Sequence, residues 1–492
     1  MGWRRRGSRR SFLRTLASVP VLGALPWVQA PGLSRGTGRG AIPACPACPD
    51  ALPASSAAAA RRELGFPDAR AQWHGDSSLA AALRDGRGPS LPARPVPAPA
   101  PSAPFDWEAA GETLRSRFRD LRRHLVFEYY PWYGRDPWQH WQDSDRQPPH
   151  DIASNYMPLL GPYDSGDAAV VERHARWIAE SGAGAVNLSW WGRDSDTDRR
   201  VPLIMDVMRA HDLRVAFHLE PYTDRRAETY APDVLYLLRE YGERRRWDCL
   251  LLLEDAAGRS GPVFKSFRTI LLPTVVDCHG VRHVVPDYTA DDRWRRATDT
   301  VRSALRGDFD HVTLLADSLD FFRTRAGGFD GLAIYDNYVE PATWRRFAEE
   351  ATAHDLVFSF NVNPGFDGVV LRNVEADSCY RPPRFLPDDP RVEWSSPRSR
   401  ARAARVSASR IRDSLQASVG LQLDAALANA RAGFFLVYVN SFNEWHEGHQ
   451  FEPMKNWGDL TPRERAVGYH NAAIGSYRLS TLARHLSPLV RP

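Results

Sequence analysis

Residues Phe434 to Glu452 read FFLVYVNSFNEWHEGHQFE. A short apolar, β-branched and aromatic run, Phe434 to Val439, follows Gly433 and reads as a buried strand. It gives way abruptly to Asn443, Glu444, Trp445, His446 and Glu447. The polar cluster therefore sits where a strand ends. Two carboxylates three residues apart, with an indole and an imidazole between them, fit glycosidic bond cleavage. One carboxyl protonates the leaving oxygen and the other acts near the anomeric carbon. The competing reading is a solvated loop with incidental charges. Spacing alone leaves the stereochemistry open. Residues three apart lie ~10 Å apart when extended and ~5–6 Å apart in a helical turn. Those values straddle the separations of retaining and inverting glycosidases.

Upstream of this strand, short apolar runs alternate with helical patterns. Strands are predicted at Leu125–Tyr130, Ala185–Trp190, Arg214–Glu220, Val312–Ala316, Leu332–Tyr335 and Leu356–Phe360. The fourth strand is placed at Thr269–Val275, with Cys249–Leu253 as its rival. Helices are predicted at Val170–Ser181, stopped by Gly182, and at Leu203–His211, Asp233–Tyr241, Arg293–Leu305, Ala342–His354 and Ile411–Ala430. With Phe434–Asn440 as the last strand, this gives eight strand–helix units, an α/β chain of the (β/α)8 barrel class. A doubly wound open sheet is the alternative, and no Gly-x-Gly-x-x-Gly turn supports it.

In a barrel the chemistry collects where strands end. The predicted ends carry Tyr129 and Tyr133, then Trp190 and Trp191, then His218, Glu220 and Tyr222, then Tyr335. The eighth adds Asn443, Trp445 and His446 beside the two glutamates. Rings stack on the C–H faces of sugars, and acids and amides pair with hydroxyls. These eleven residues are the candidate substrate contacts, and Glu444 and Glu447 the catalytic pair. Adjacent tryptophans on a strand point to opposite faces, so at most one of Trp190 and Trp191 lines the cleft directly. Glu220 follows a buried-looking strand, where a carboxylate is costly unless paired or functional. His446-Glu447-Gly448-His449 has histidines three apart and lacks the His-Glu-x-x-His zinc spacing, so no metal is expected from it. No cofactor is expected either.

The first 30 residues do not belong to the fold. Ser8-Arg9-Arg10-Ser11-Phe12-Leu13-Arg14, an apolar run from Leu16 to Trp27 and Val28-Gln29-Ala30 resemble a twin-arginine export signal. Those residues hold six arginines and no acid, so without them the formal net charge of +4 becomes −2. Such a chain suits a neutral glycan better than a nucleic acid. Residues 31–105 are rich in Pro and Ala and read as a linker, with short helices allowed at Ala58–Leu64 or Ser78–Arg84. Cys45 and Cys48 within it are expected to form a local disulfide or nothing. The five cysteines give no disulfide-rich scaffold. One catalytic domain is expected over residues 106–492, with no membrane span after residue 30 and a monomeric state.

Ser441-Phe442-Asn443-Glu444-Trp445-His446-Glu447-Gly448 with Gln450-Phe451-Glu452-Pro453 closely resembles the end-of-barrel motif of glycoside hydrolase family 99, the endo-α-1,2-mannosidases and endo-α-1,2-mannanases. The resemblance extends to Tyr129–Tyr133 with His140-Trp141, Gly161-Pro162-Tyr163, Ser189-Trp190-Trp191-Gly192 and Phe217–Tyr222. It also includes Gly328-Phe329-Asp330-Gly331 and Asn363–Asp367, in the family's order. It implies a barrel that cleaves inside α-mannoside chains with retention and without a metal. Glu444 would deprotonate the substrate's own 2-hydroxyl to give a 1,2-anhydro sugar. Glu447 would protonate the leaving oxygen and then activate water. Glu220 and Tyr335 would lie in the cleft. Ala333–Asn337 and Leu250–His279 depart from the family pattern. A hydrolase of another bacterial polysaccharide and a silent glycan-binding protein are the alternative functions.

Two outcomes are expected. Protein recovered from outside the cytoplasm begins near Pro31 on N-terminal sequencing, and an intact Met1 on soluble cytoplasmic protein would refute export. Deleting residues 31–100 leaves folding and turnover nearly unchanged, and an aggregated or inactive truncation would contradict the linker reading.

Overall fold

The computed structural model describes residues 105–222, 225–244, 247–374, 378–380, 382–387 and 392–491. The stretch read as an export signal and nearly all of that read as a linker, with Cys45 and Cys48, lie outside them.

Among the described residues, eight parallel strands form the barrel: β1 (Leu125–Tyr129), β2 (Ala185–Trp190), β3 (Arg214–Leu219), β4 (Ser260–Ser266), β5 (Thr313–Ala316), β6 (Gly331–Ala333), β7 (Val357–Ser359) and β8 (Val437–Val439). Their order is β7-β6-β5-β4-β3-β2-β1-β8. β1 meets β8 with Leu125 opposite Val437. The remaining seam, β7 to β8, closes just past the strands. There Val362 N–H donates to the Tyr438 carbonyl, and Asn440 N–H to the Val362 carbonyl, both at 2.8 Å.

Seven strands lie within a few residues of their predicted bounds. The fourth does not. Thr274–Val276, within the stretch first chosen, pairs antiparallel with Arg282–Val284 in an exposed hairpin. Leu252–Glu254, in the rival stretch, runs antiparallel to β4. The true strand, Ser-Gly-Pro-Val-Phe-Lys-Ser, carries a glycine, a proline and a lysine, which hid it from a search for apolar runs.

Alternation along the strands sorts the interior into layers. Val126, Ala185, Ala216, Val263, Leu315, Ala333 and Leu436 form an apolar layer, sealed below by Leu251 and Leu253. Two residues further along, Glu128, Asn187, His218 and Lys265 form a polar layer. Lys265 Nζ lies 2.6 Å from Glu128 Oε1, and both side chains are fully buried. Asn187 Nδ2 donates to Glu128 Oε2 at 3.0 Å, and His218 Nδ1 lies 3.1 Å from the same oxygen. Burial pushes the Glu128 carboxyl up, but Lys265 and His218 outweigh it and hold it down at about 2.

Helix Ala168–Ser181 buries Val171, Ala175 and Ile178, and Gly182 ends it at φ +96°, a conformation that favours glycine. The predicted Ile411–Ala430 helix is two helices, Pro397–Leu423 and Ala428–Ala432. Four helices went unread, one of them Pro462–Val467. Trp107–Arg117 and Tyr477–Val490 pack together, with Arg115 Nη1 donating to the Pro488 and Leu489 carbonyls, both at 2.8 Å. Phe321–Ala326 is a short link between β5 and β6. A Cys278–Cys379 disulfide joins the fourth and seventh strand-to-helix loops, and the scattered spacing had not singled it out. No helix among the described residues is long and apolar enough to cross a membrane.

The buried ion pair makes a test. Lys265→Met leaves Glu128 buried without its cation, and the expected loss of stability is ~3–5 kcal/mol. A Glu128→Leu, Lys265→Met double variant should lose less. Urea denaturation of the three proteins measures this, and a single variant as stable as the parent would overturn it.

Candidate active site

The chain after β8 is held by its own backbone and by its neighbours. Glu444 N–H donates to Ser441 Oγ at 2.8 Å, and Phe442 N–H to the Glu128 carbonyl at 2.8 Å. Asn443 clasps Tyr130, accepting its N–H at 2.7 Å and donating to its carbonyl at 2.9 Å. Trp445 N–H donates to the Tyr133 hydroxyl at 3.0 Å. The seventh loop straps the other side. Asp367 N–H donates to the Glu447 carbonyl at 2.8 Å, and Val369 N–H to the His446 carbonyl at 2.7 Å. Gly448, at φ +64°, fits beneath this strap, where a Cβ would stand 2.2 Å from the Asp367 carbonyl oxygen.

A second anchor lies behind. Glu452 is buried and accepts from Tyr163 Oη at 2.7 Å and Trp445 Nε1 at 2.9 Å. His174 Nε2 lies 3.1 Å from its other oxygen, and His174 Nδ1 lies 2.9 Å from Tyr129 Oη. With the carboxylate accepting, Nε2 carries the imidazole proton and the Tyr129 hydroxyl donates to Nδ1.

Both predicted catalytic carboxyls are buried at the barrel mouth, Glu444 2% exposed and Glu447 7%. Glu444 Oε1 accepts the His446 N–H at 3.0 Å and lies 3.1 Å from His446 Nδ1. Its Oε2 has no partner among the described residues. Glu447 Oε2 lies 2.5 Å from His449 Nε2, and Tyr335 stands beside the carboxyl, where its hydroxyl favours the ionised form. Burial, and then the charges of Glu444, Asp336 and Glu220, push Glu447 well above the ordinary carboxylate range. Glu220 accepts Ser189 Oγ at 2.8 Å, and burial raises it as well. His449 is pushed down to about 3 by burial and the Arg478 charge, so it is neutral.

The structure brings Tyr133, Trp191, His218, Glu220, Tyr335 and His446 together with the two glutamates. Tyr133 stacks on His446 at 5.7 Å, and Trp191 lies 6.0 Å from Trp132 and donates to Ser189 Oγ at 2.9 Å. His218 Nε2 is buried without a partner among the described residues. Four other predicted contacts are placed elsewhere. Tyr129 faces His174, and Trp190 points outward to Asp198 at 2.7 Å. Asn443 and Trp445 are spent on Tyr130 and Glu452. These four buttress the site from behind. Tyr222 is half-buried and bonded through its hydroxyl to Asp233 and Thr229, fixing the third loop to its helix. Strand alternation decides these cases. Glu128 points inward, so Tyr129 points outward and Tyr130 inward, and Tyr130 was the residue to choose. Glu128, Lys265, His449 and Glu452 were also missed. An acid inside the apolar run Leu125–Tyr130 was the available signal for Glu128.

Comparison with known proteins agrees with this fold. The family model described as glycosyl hydrolase family 99 matches residues 120–248. A Danio rerio glycoprotein endo-alpha-1,2-mannosidase-like protein is 27% identical over 359 residues, 66% of this chain and 69% of its own. The glycoprotein endo-alpha-1,2-mannosidase of Mus musculus is 25% identical over 376 residues, 70% of each chain. The solved structure of a family 99 endo-alpha-mannosidase from Bacteroides thetaiotaomicron superposes with a TM-score of 0.52 at 20% identity, covering 75% of this chain and 99% of that one, and shares the (β/α)8 fold. Barrel and relatives agree: this chain is a glycosidase, similar over residues 120–248 to glycosyl hydrolase family 99.

Proposed function

We propose that this glycosidase cleaves internal α-mannosidic linkages in mannan or mannose-rich glycans, with retention of configuration and participation of the substrate 2-hydroxyl. The observation that carries the reading is the unequal setting of two neighbouring buried carboxyls. Glu444 turns one unpartnered oxygen to the site, while Glu447 is enclosed by His449 and Tyr335. The relatives named endo-alpha-1,2-mannosidase support the linkage type.

In this mechanism Glu444 Oε2 takes the proton of the 2-hydroxyl. The resulting oxyanion attacks C1, forming a 1,2-anhydro sugar as the glycosidic C1–O bond breaks. Glu447 delivers its proton to the departing oxygen. It then takes a proton from water, whose oxygen opens the three-membered ring at C1, and Glu444 returns its proton to the freed 2-oxygen, which restores the 2-hydroxyl and both side chains. Burial and neighbouring carboxyls keep Glu447 protonated for the first step, the condition for a general acid. His218 Nε2 and the Trp191 ring stand at the same mouth to bind hydroxyls and a sugar face. The export signal read at Arg9-Arg10 would put this activity outside the cytoplasm.

The two glutamates separate in kinetics. Glu447→Gln should lose ~10²–10⁴-fold on a natural glycan, the usual worth of a general acid. It should lose far less on an aryl glycoside whose phenol leaves without protonation. Glu444→Gln should be poor on both, because the 2-hydroxyl must still be activated. A 2-deoxy substrate cleaved at a comparable rate, or a glycosyl ester trapped on Glu444, would replace the mechanism with direct nucleophilic attack. Sizing of products from defined α-mannosides tests the endo mode, and release of single terminal sugars would refute it.

A further inference from the structure

We propose that His140, Asp143 and His446 form a zinc-class metal site on the wall of the cleft, and that filling it inhibits the enzyme. The three side chains come from two loops, those following β1 and β8. His140 Nδ1 lies 3.4 Å from Asp143 Oδ2, and His446 Nε2 lies 3.7 Å from the same oxygen. One donor atom from each residue falls within 4.8 Å of the others. A tetrahedral ion with bonds of about 2.1 Å holds its ligands ~3.4 Å apart. Two edges are therefore close to that spacing, and the third is no longer than 4.8 Å. The set is partly open to solvent, with side chains 30%, 47% and 15% exposed for His140, Asp143 and His446, which gives an ion its entry.

Both imidazoles are oriented in advance by rings. His140 stacks on Trp132 at 4.6 Å and 23°, and His446 on Tyr133 at 5.7 Å and 14°. Two imidazoles and one carboxylate select zinc, cobalt, nickel or copper over magnesium or calcium, and they leave a fourth position for water. The other convergent trio among the described residues, Cys278, His279 and Cys379, has its two sulfurs joined to each other and offers no thiolate.

The remaining nitrogen of His446 gives the site its consequence. His446 Nε2 lies 2.6 Å from the His140 carbonyl oxygen, which can only accept, so Nε2 carries a proton there. An ion needs that nitrogen's lone pair. In the neutral ring the proton would then stand on Nδ1, where Glu444 Oε1 waits at 3.1 Å. A carboxylate accepting from the far nitrogen of a metal-bound histidine is the usual outer support of such ligands. Binding would thus break the tie to the His140 carbonyl and turn Glu444 into a supporting acceptor with a dication nearby. That opposes its taking a proton from substrate.

Binding stands on the geometry alone, whereas inhibition rests on the proposed role of Glu444, and the experiment reads them separately. Zinc chloride is titrated calorimetrically into the full chain, and cobalt chloride is added with the visible spectrum recorded. One saturable zinc and the intense absorption of tetrahedral cobalt are expected, and magnesium chloride should give no heat. Asp143→Ala and His140→Ala should abolish both signals. Asp143→Asn serves if the alanine variant melts at a lower temperature than the parent. Glu444→Gln should weaken zinc ~10–100-fold while keeping its stoichiometry. Zinc should lower turnover of the parent at least ~tenfold, the small end of that range, and a chelator should restore it. Asp143→Ala should turn over at the parent rate with or without zinc. No saturable zinc up to ~1 mM, or unchanged binding in both alanine variants, would overturn the site. Zinc bound through these residues without loss of turnover would keep the site and overturn its inhibitory role.

Discussion

The Glu128–Lys265 pair is buried at the centre of the barrel, and the candidate site is built above it. The interior needs a polar layer there, because a cleft that binds hydroxyls cannot rest on alkane alone. A buried carboxylate is tolerated only with a cation and further hydrogen bonds. Lys265, Asn187 and His218 supply both to Glu128. The acids nearer the mouth have less. Lys265 pulls Asp317 down, but burial prevails and leaves it raised to about 6. Glu220 and Glu447 are raised by burial too. Burial thus prevails at this mouth and raises the hold of these carboxyls on their protons. Relocating the Lys265 charge toward Glu447 would favour its ionised form and remove the acid of the proposed mechanism.

The same economy of partners governs the loop after β8. It carries acidic side chains inward, and its backbone would be free to swing without restraint. Glu452 gathers Tyr163, Trp445 and His174 on one side, and the Asp367 and Val369 amides grip the other. Trp445 and Asn443 lie within the motif, but they serve as struts. A catalytic geometry held to a fraction of an ångström needs such supports as much as it needs the reacting groups. Mutating a strut should therefore depress turnover without any loss of contact with substrate.

Much of the fold was legible in the sequence because barrel strands buried on both faces read as apolar runs. Ala185–Trp190 was read to the residue for that reason. β4 was not, because its interior position is a lysine neutralised by a glutamate 137 residues away, and no local pattern carries that pairing. The candidate catalytic pair stood out because acids at a strand end have few structural explanations. The substrate contacts were legible only by region. Tyr129 and Trp190 were chosen over Tyr130 by residue type, although period-two alternation from Glu128 and Ser189 separates the faces. His449 was weighed only as a metal ligand, and its bond to Glu447 depends on a turn at Gly448 that spacing does not reveal.

That turn gives each glutamate an imidazole two residues on, and the two pairs differ in what they can do. His446 is partly exposed and shared between Glu444 and the His140 carbonyl. His449 is fully buried and held neutral, with Nδ1 unpartnered among the described residues. A neutral imidazole can meet either state of Glu447. It accepts at Nε2 when the carboxyl is protonated, and it donates from Nε2 once the proton has gone, by exchanging tautomers. Neither state places a positive charge in the dry interior. A lysine or arginine in place of His449 would suit only the ionised carboxylate. In the proposed mechanism, an acid that gives up a proton and later takes one from water is better served by a partner that changes role without changing charge.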